Sequence, residues 1–208
     1  MKDELKPNIR IFCEERLKEF IQIPEERKAL LEQIANYIQT KRQSNEEVQL
    51  IYVCTHNSRR SHFGQVWAAV AAAYFGIDQV KTFSGGTEAT ALHPNAIASL
   101  LRTGFDIQSE GKTTNPHYVV KFGKNLSTLC FSKTYDDSFN PQSNFAAIMT
   151  CSDADENCPF IPGVELRIGT TYDDPKAFDG TDQEAEKYDE RSAQIAREML
   201  FMMAKASK

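Results

Sequence analysis

Glycine is scarce in this chain, ten residues in 208, and neither a repeat nor a low-complexity tract is present. With 41% apolar residues and 10% aromatics beside that scarcity, collagen-like and disordered classes are excluded and an ordinary globular core is expected. Long hydrophobic runs are missing too. The longest mostly apolar stretch, Val66 to Ile77, falls far short of the ~20 residues that span a bilayer, so no membrane partner is expected. Positive charge has no surplus: 24 Lys and Arg stand against 29 Asp and Glu, a formal charge of −5, and no basic stripe offers itself to nucleic acid. The start, MKDELKPNIRIFCEERLKEF, is charged throughout and has no apolar signal region, which leads us to expect a cytoplasmic protein. In that compartment the five cysteines, Cys13, Cys54, Cys130, Cys151 and Cys158, are expected as thiols. No second CxxC and no HxxxH supplies the further ligands of a zinc site. Glu110-Gly111-Lys112-Thr113 has Asp106 where a nucleotide-binding loop requires its first glycine. Neither a metal nor a cofactor is expected.

Apolar residues at spacings of three and four divide residues 8–43 into two helices, an amphipathic hairpin. Ile9, Cys13, Leu17 and Phe20 line the first; after Pro24, Leu30, Ile34, Tyr37 and Ile38 line the second. Lys41 to Glu47 reads as a connection, and Gln49 to Val53 as a buried strand ending at Cys54. An alanine-rich helix from Ser61 to Phe75 follows, then a strand from Gln79 to Phe83 closed by a turn at Ser84-Gly85-Gly86, then a helix from Pro94 to Leu101. Ala146 to Thr150 and Val164 to Ile168 read as further strands, and Tyr118–Val120 and Leu129–Phe131 can pair around Gly123-Lys124-Asn125 as an inserted β-hairpin. A capping box of Thr181 with Glu184 predicts a last helix with Tyr188, Ser192, Ile195, Met199 and Met202 on its buried face. Strands alternating with helices require an α/β fold, a parallel sheet covered on both faces with its site beyond the strands' carboxyl ends. The expected division is an N-terminal helical extension, residues 1–47, and a catalytic unit, residues 48–208.

Cys54 stands at such an end. In VCTHNSRRS, residues 53–61, five residues separate it from Arg60, and Ser61 opens a helix. A loop of that length can wrap one tetrahedral oxyanion, with Thr55, His56, Asn57, Ser58, Arg59, Arg60 and Ser61 turning backbone N–H groups inward and the helix N-terminus adding positive potential. The planar fork of Arg60 can clasp two equatorial oxygens. The same field favours the thiolate of Cys54, the competent nucleophile. A lone cysteine ending a core strand is usually a small hydrophobe; the strand, the Asn-Ser loop and the Arg-Ser helix start set this one apart.

CTHNSRRS resembles the phosphate loop of the low-molecular-weight protein tyrosine phosphatases and of the thioredoxin-coupled arsenate reductases that share their fold. TCSDADENCPFIPGVELR (150–167) and YDDPKAFDGT (172–181) resemble the reductases specifically, and SGGTEATALHPNAI (84–97) resembles both groups. The resemblance spans residues 48–205 and implies a three-layer α/β sandwich around a four-stranded parallel sheet. It also implies a relay in which Cys54 attacks arsenate, Cys151 attacks Cys54 and releases arsenite, and Cys158 resolves the disulfide for reduction by thioredoxin. By the same resemblance Asp174, directly before Pro175, is the general acid. His56 occupies a position where these families usually have glycine, and Gln65 replaces the glutamate through which some of the reductases bind potassium.

Cys151 and Cys158 also admit a direct argument. Within one continuous helix their alpha carbons would lie about 10 Å apart, whereas a disulfide needs less than about 7 Å. The segment between them must loop out to join them, which its Ser, Asp and Asn content eases. Two other readings compete. A tyrosine phosphatase would use Cys54, Arg60 and Asp174 and hydrolyse a phosphocysteine, with phosphate rather than arsenate as the oxyanion; a non-catalytic phosphate binder would have no use for the nucleophile.

Overall fold

The computed structural model describes residues 2–111, 113–157 and 160–208. Strand β1 (Val48–Cys54) is buried because apolar side chains leave it on both sides: Leu50 and Tyr52 enter one core, Ile51 and Val53 another. It pairs in parallel with β2 (Val80–Gly86) on one flank and β6 (Phe145–Met149) on the other, and β7 (Val164–Gly169) lies beyond β6. The strand order is β2-β1-β6-β7, all parallel, as expected.

The sandwich is lopsided. On one face α3 (Arg60–Phe75) lies on β1 and β2, and the long α6 (Glu184–Ala206) packs along α3. Helices α1 (Pro7–Leu17), α2 (Glu25–Gln43) and α4 (Pro94–Thr103) pack on α6 in turn. Ile9 and Cys13 of α1 and Leu31, Ile34 and Ile38 of α2 share one apolar core with Trp67 and Met199. Burial pushes the thiols of Cys13 and Cys130 up to about 12, which suits them to packing rather than chemistry. The other face is covered by a short helix, α5 (Ser152–Asn157), with Ile161 and Tyr135. No helix among the described residues is long and apolar enough to cross a membrane.

Three elements depart from the sequence reading. The inserted hairpin forms, with Tyr118 opposite Cys130 in β4 (His117–Lys121) and β5 (Ser127–Cys130), but it gains a third antiparallel strand, β3 (Asp106–Glu110). Mostly exposed and polar, β3 has no alternation to announce it; backbone pairing with β4 alone makes it a strand. Ser84-Gly85-Gly86 is not a turn but the end of β2, because Gly86 is bridged in parallel to Thr134, accepting from Tyr135 N and donating to Lys133 O. A Cβ at Gly86 would meet Thr55 O at 2.6 Å and Asn57 N at 2.7 Å, so this glycine serves close backbone approach to the loop that follows Cys54. Finally, α6 starts at Glu184 itself. The Glu184 carboxylate reaches Gly180 N (2.7 Å), and Thr181 Oγ1 accepts from Gln183 N, so the expected capping box is replaced by a tighter preceding turn.

Candidate active site

The strand β1 delivers Cys54 to the floor of a loop, residues 55–59, that turns into α3. Asn57 adopts a left-handed φ of 43°, a conformation that asparagine tolerates better than most residues. Its amide Nδ2 donates to Ser61 Oγ (2.9 Å), and Ser61 Oγ lies 3.0 Å from Cys54 Sγ. The Ser61 oxygen already accepts from Asn57, and either the Ser61 hydroxyl or the thiol can supply the proton of the contact with the sulfur. Among the described residues no acceptor takes the N–H groups from His56 to His62, the first intrahelical bond being Phe63 N to Arg59 O. The loop therefore presents a run of unspent donors and a helix N-terminus around the sulfur.

Side chains of the same loop mostly brace it. Ser58 Oγ donates to Ala91 O (2.7 Å), Asn57 Oδ1 accepts from Lys133 N (2.9 Å), and half-exposed His56 turns toward Glu88 (3.8 Å). Arg59 donates through Nε to Tyr188 OH (2.6 Å) and through Nη2 to Asp179 (3.2 Å). Arg60 meets the predicted acid: Nη2 donates to Asp174 Oδ2 (2.7 Å) and Nη1 to Tyr172 O (2.9 Å), while its buried Nε has no partner among the described residues. Asp174 also accepts from Lys176 N and so caps the single turn Pro175–Phe178. Its neighbour Asp173 points outward, its side chain 97% exposed.

No protein-family model matches the chain. Among curated proteins it is 29% identical to the arsenate reductase of Bacillus subtilis over 135 residues, 65% of this chain and 79% of that protein. Against arsenate reductase 2 of Staphylococcus epidermidis the identity is 28% over 126 residues, 61% and 77% of the two chains. A solved arsenate reductase in its phosphate-binding state superposes with a TM-score of 0.52 at 18% identity, covering 77% of this chain and 99% of its own. A low-molecular-weight protein tyrosine phosphatase from T. tengcongensis does so at 0.51 and 12%, covering 76% and 99%. The chain is thus similar in sequence to arsenate reductases and shares the fold of solved arsenate reductases and low-molecular-weight protein tyrosine phosphatases.

Cys151 lies beside the loop. It is buried in the same small apolar cluster as Cys54, and its sulfur is 3.4 Å from Thr55 Oγ1 and accepts from Ala154 N at 3.4 Å. Thr55 in turn gives its hydroxyl proton to Asp153 (2.7 Å). Short helix α5 separates Cys151 from Cys158 and is held by Arg167, whose Nη2 lies 2.8 Å from Asp155 Oδ1. Cys158, expected as the resolving thiol, lies outside the described residues. At the helix position of Gln65, Nε2 donates to Thr128 Oγ1 and Leu129 O.

Sequence reasoning missed the partners of the two arginines. Tyr188 reads along the chain as one more apolar position on the last helix, yet its hydroxyl joins Arg59, Asp179 (2.7 Å) and the ring of His93 (3.3 Å). Burial and the Asp179 bond push that hydroxyl up to about 12, so it stays a donor to the carboxylate. The one signal in the sequence was the second arginine of the loop, which no single oxyanion requires.

Proposed function

We propose that the chain reduces arsenate to arsenite through Cys54, Cys151 and Cys158, drawing electrons from thioredoxin in the cytoplasm, with residues 48–208 carrying the chemistry. The Cys54 sulfur attacks arsenic; a sulfur–arsenic bond forms and an arsenic–oxygen bond breaks, the oxygen leaving as water on a proton from Asp174. Cys151 then attacks the Cys54 sulfur. The electron pair of the sulfur–arsenic bond stays on arsenic, which departs as arsenite, and the Cys54–Cys151 disulfide records the oxidation. Cys158 displaces Cys54 to form a Cys151–Cys158 disulfide, which a thioredoxin dithiol reduces while becoming oxidised itself. The N–H groups of the loop and Arg60 would hold the oxyanion, arsenate or phosphate, throughout.

The observation that carries this reading is Cys151 packed against the loop through Thr55. A phosphatase has no need of a thiol there. Hydrolysis of phosphotyrosine or small phosphomonoesters is the second reading, favoured by an Arg60–Asp174 pair that is complete without Cys151. A Cys151→Ser protein separates them. It is expected to lose thioredoxin-dependent arsenite production while still releasing p-nitrophenol from p-nitrophenyl phosphate, and Cys54→Ser to lose both. Unchanged arsenite production by Cys151→Ser would sink the relay.

A further inference from the structure

Consecutive carbonyls of the segment before Asp174 are each held by an arginine. Arg60, from the anion loop, donates to Tyr172 O (2.9 Å); Arg27, from α2 of the N-terminal extension, donates through Nη2 to Thr171 O (2.6 Å). The Arg27 guanidinium also lies over the Tyr172 ring, 5.1 Å from its centroid, and its Nε is 3.7 Å from Glu198 Oε2. That same carboxylate oxygen accepts the Tyr172 hydroxyl (2.8 Å), and Oε1 accepts from Gln194 (3.3 Å). Glu198 is only 2% exposed on α6. Burial, and then the neighbouring Glu198 charge, push the Tyr172 hydroxyl well up, so it remains a donor. Among the described residues Arg27 is the cation facing Glu198.

We propose that Arg27 is a positioning residue for the Arg60–Asp174 pair, acting through Thr171 and Tyr172. Arg60 can point its fork at an oxyanion only from a fixed base, and that base is the Tyr172 carbonyl. The tyrosine is fixed at its ring and hydroxyl by Arg27 and Glu198, and at its amide by Thr150 O (3.1 Å). Without Arg27 the buried Glu198 loses its counter-charge and the segment loses one of its two arginines, a state that a buried carboxylate relieves by taking a proton or admitting water. Either response moves Tyr172, and with it Arg60 and the segment that carries Asp174. A shift of about 1 Å in such a group can cost about a hundredfold in rate. The helical extension thereby becomes part of the working site rather than an appendage to it. This inference rests on the oxyanion reading of the Cys54 loop.

The test compares Arg27→Met, Arg27→Lys and Glu198→Gln with the wild type in arsenate reduction and p-nitrophenyl phosphate hydrolysis across pH, with thermal midpoints alongside. Arg27→Met is expected to lower kcat about tenfold or more on both substrates, with a smaller change in KM. Arg27→Lys keeps the charge but not the fork and should recover part of the loss. Glu198→Gln keeps an acceptor for Tyr172 without a stranded charge, so it reports on the segment even if Arg27→Met folds poorly; an intermediate kcat is expected. A lowered midpoint with kcat within about twofold of wild type in both Arg27→Met and Glu198→Gln would reduce Arg27 to a structural tie and overturn the proposal. Failure of the oxyanion reading shows separately, as a wild-type protein inactive on both substrates whose Cys54 alkylates equally fast with and without phosphate; that result overturns both.

Discussion

Behind the loop that follows Cys54, His62 is buried, its Nε2 3.0 Å from Asn57 O and its Nδ1 3.2 Å from Ser84 Oγ. A carbonyl can only accept, so the proton sits on Nε2 and Ser84 donates to Nδ1. Burial, helped by the nearby Lys133 charge, lowers this imidazole from 6.5 to about 3. The consequence for stability has a definite sign. Between pH 6.5 and about 3 the unfolded chain takes up a proton that the folded chain refuses, so acidification favours unfolding, by up to about 1.4 kcal/mol per pH unit from this group. Above pH 6.5 His62 is neutral in both states and contributes nothing to the slope. His62→Gln should flatten that dependence, which urea midpoints at about pH 7 and pH 5 would show; an unchanged slope would mean that other groups carry it. The two partners of His62 are not legible in the sequence, since Ser84 belongs to a segment that reads as a turn.

At the scale of elements, the contact between α3 and β1 fixes where the loop between them can go. Gly64 is the point of closest approach: a Cβ there would stand 2.4 Å from Tyr52 Cδ1 and 2.6 Å from Cγ. The Tyr52 ring has no room to yield, being fully buried with its hydroxyl on Met199 Sδ (3.1 Å). Gly64→Ala should therefore destabilise by about 1–3 kcal/mol despite the better helix propensity of alanine, and urea unfolding would measure it. A stabilised protein would show that the helix can slide off the sheet. Helices and parallel strands were legible because their periodicities are written in contiguous residues. Strand β3 and the end of β2 were not, because each exists through a backbone partner elsewhere in the chain: Val120 opposite Ile107 in one case, the Gly86–Thr134 bridge in the other.

For the whole molecule the decisive feature is one core shared by the N-terminal helices and the sheet. Phe12 of α1 stacks on Trp67 at 5.1 Å, and Gln39 and Arg42 of α2 donate to Lys205 O and Ala206 O, satisfying the last carbonyls of α6. Tyr37 and Lys41 tie α2 to β7 through Glu165, at 2.7 and 2.9 Å. We expect one cooperative unfolding transition for the chain, with Trp67 fluorescence and far-ultraviolet circular dichroism coinciding. Two separated transitions would show that the extension folds by itself.

The amino-acid order alone pointed to the Cys54 loop and the Arg60 fork, because a candidate anion cradle is a local object built from neighbours along the backbone, whereas Asp174 before Pro175 was pointed to only by resemblance. Which surfaces would face that cradle was decided only in three dimensions. Arg27 reaches Thr171 across 144 positions and Arg59 reaches Tyr188 across 129, and no spacing rule connects residues so far apart. Their meeting depends on how α2 and α6 settle on α3, a choice made by burial of apolar area, which has no direction of its own.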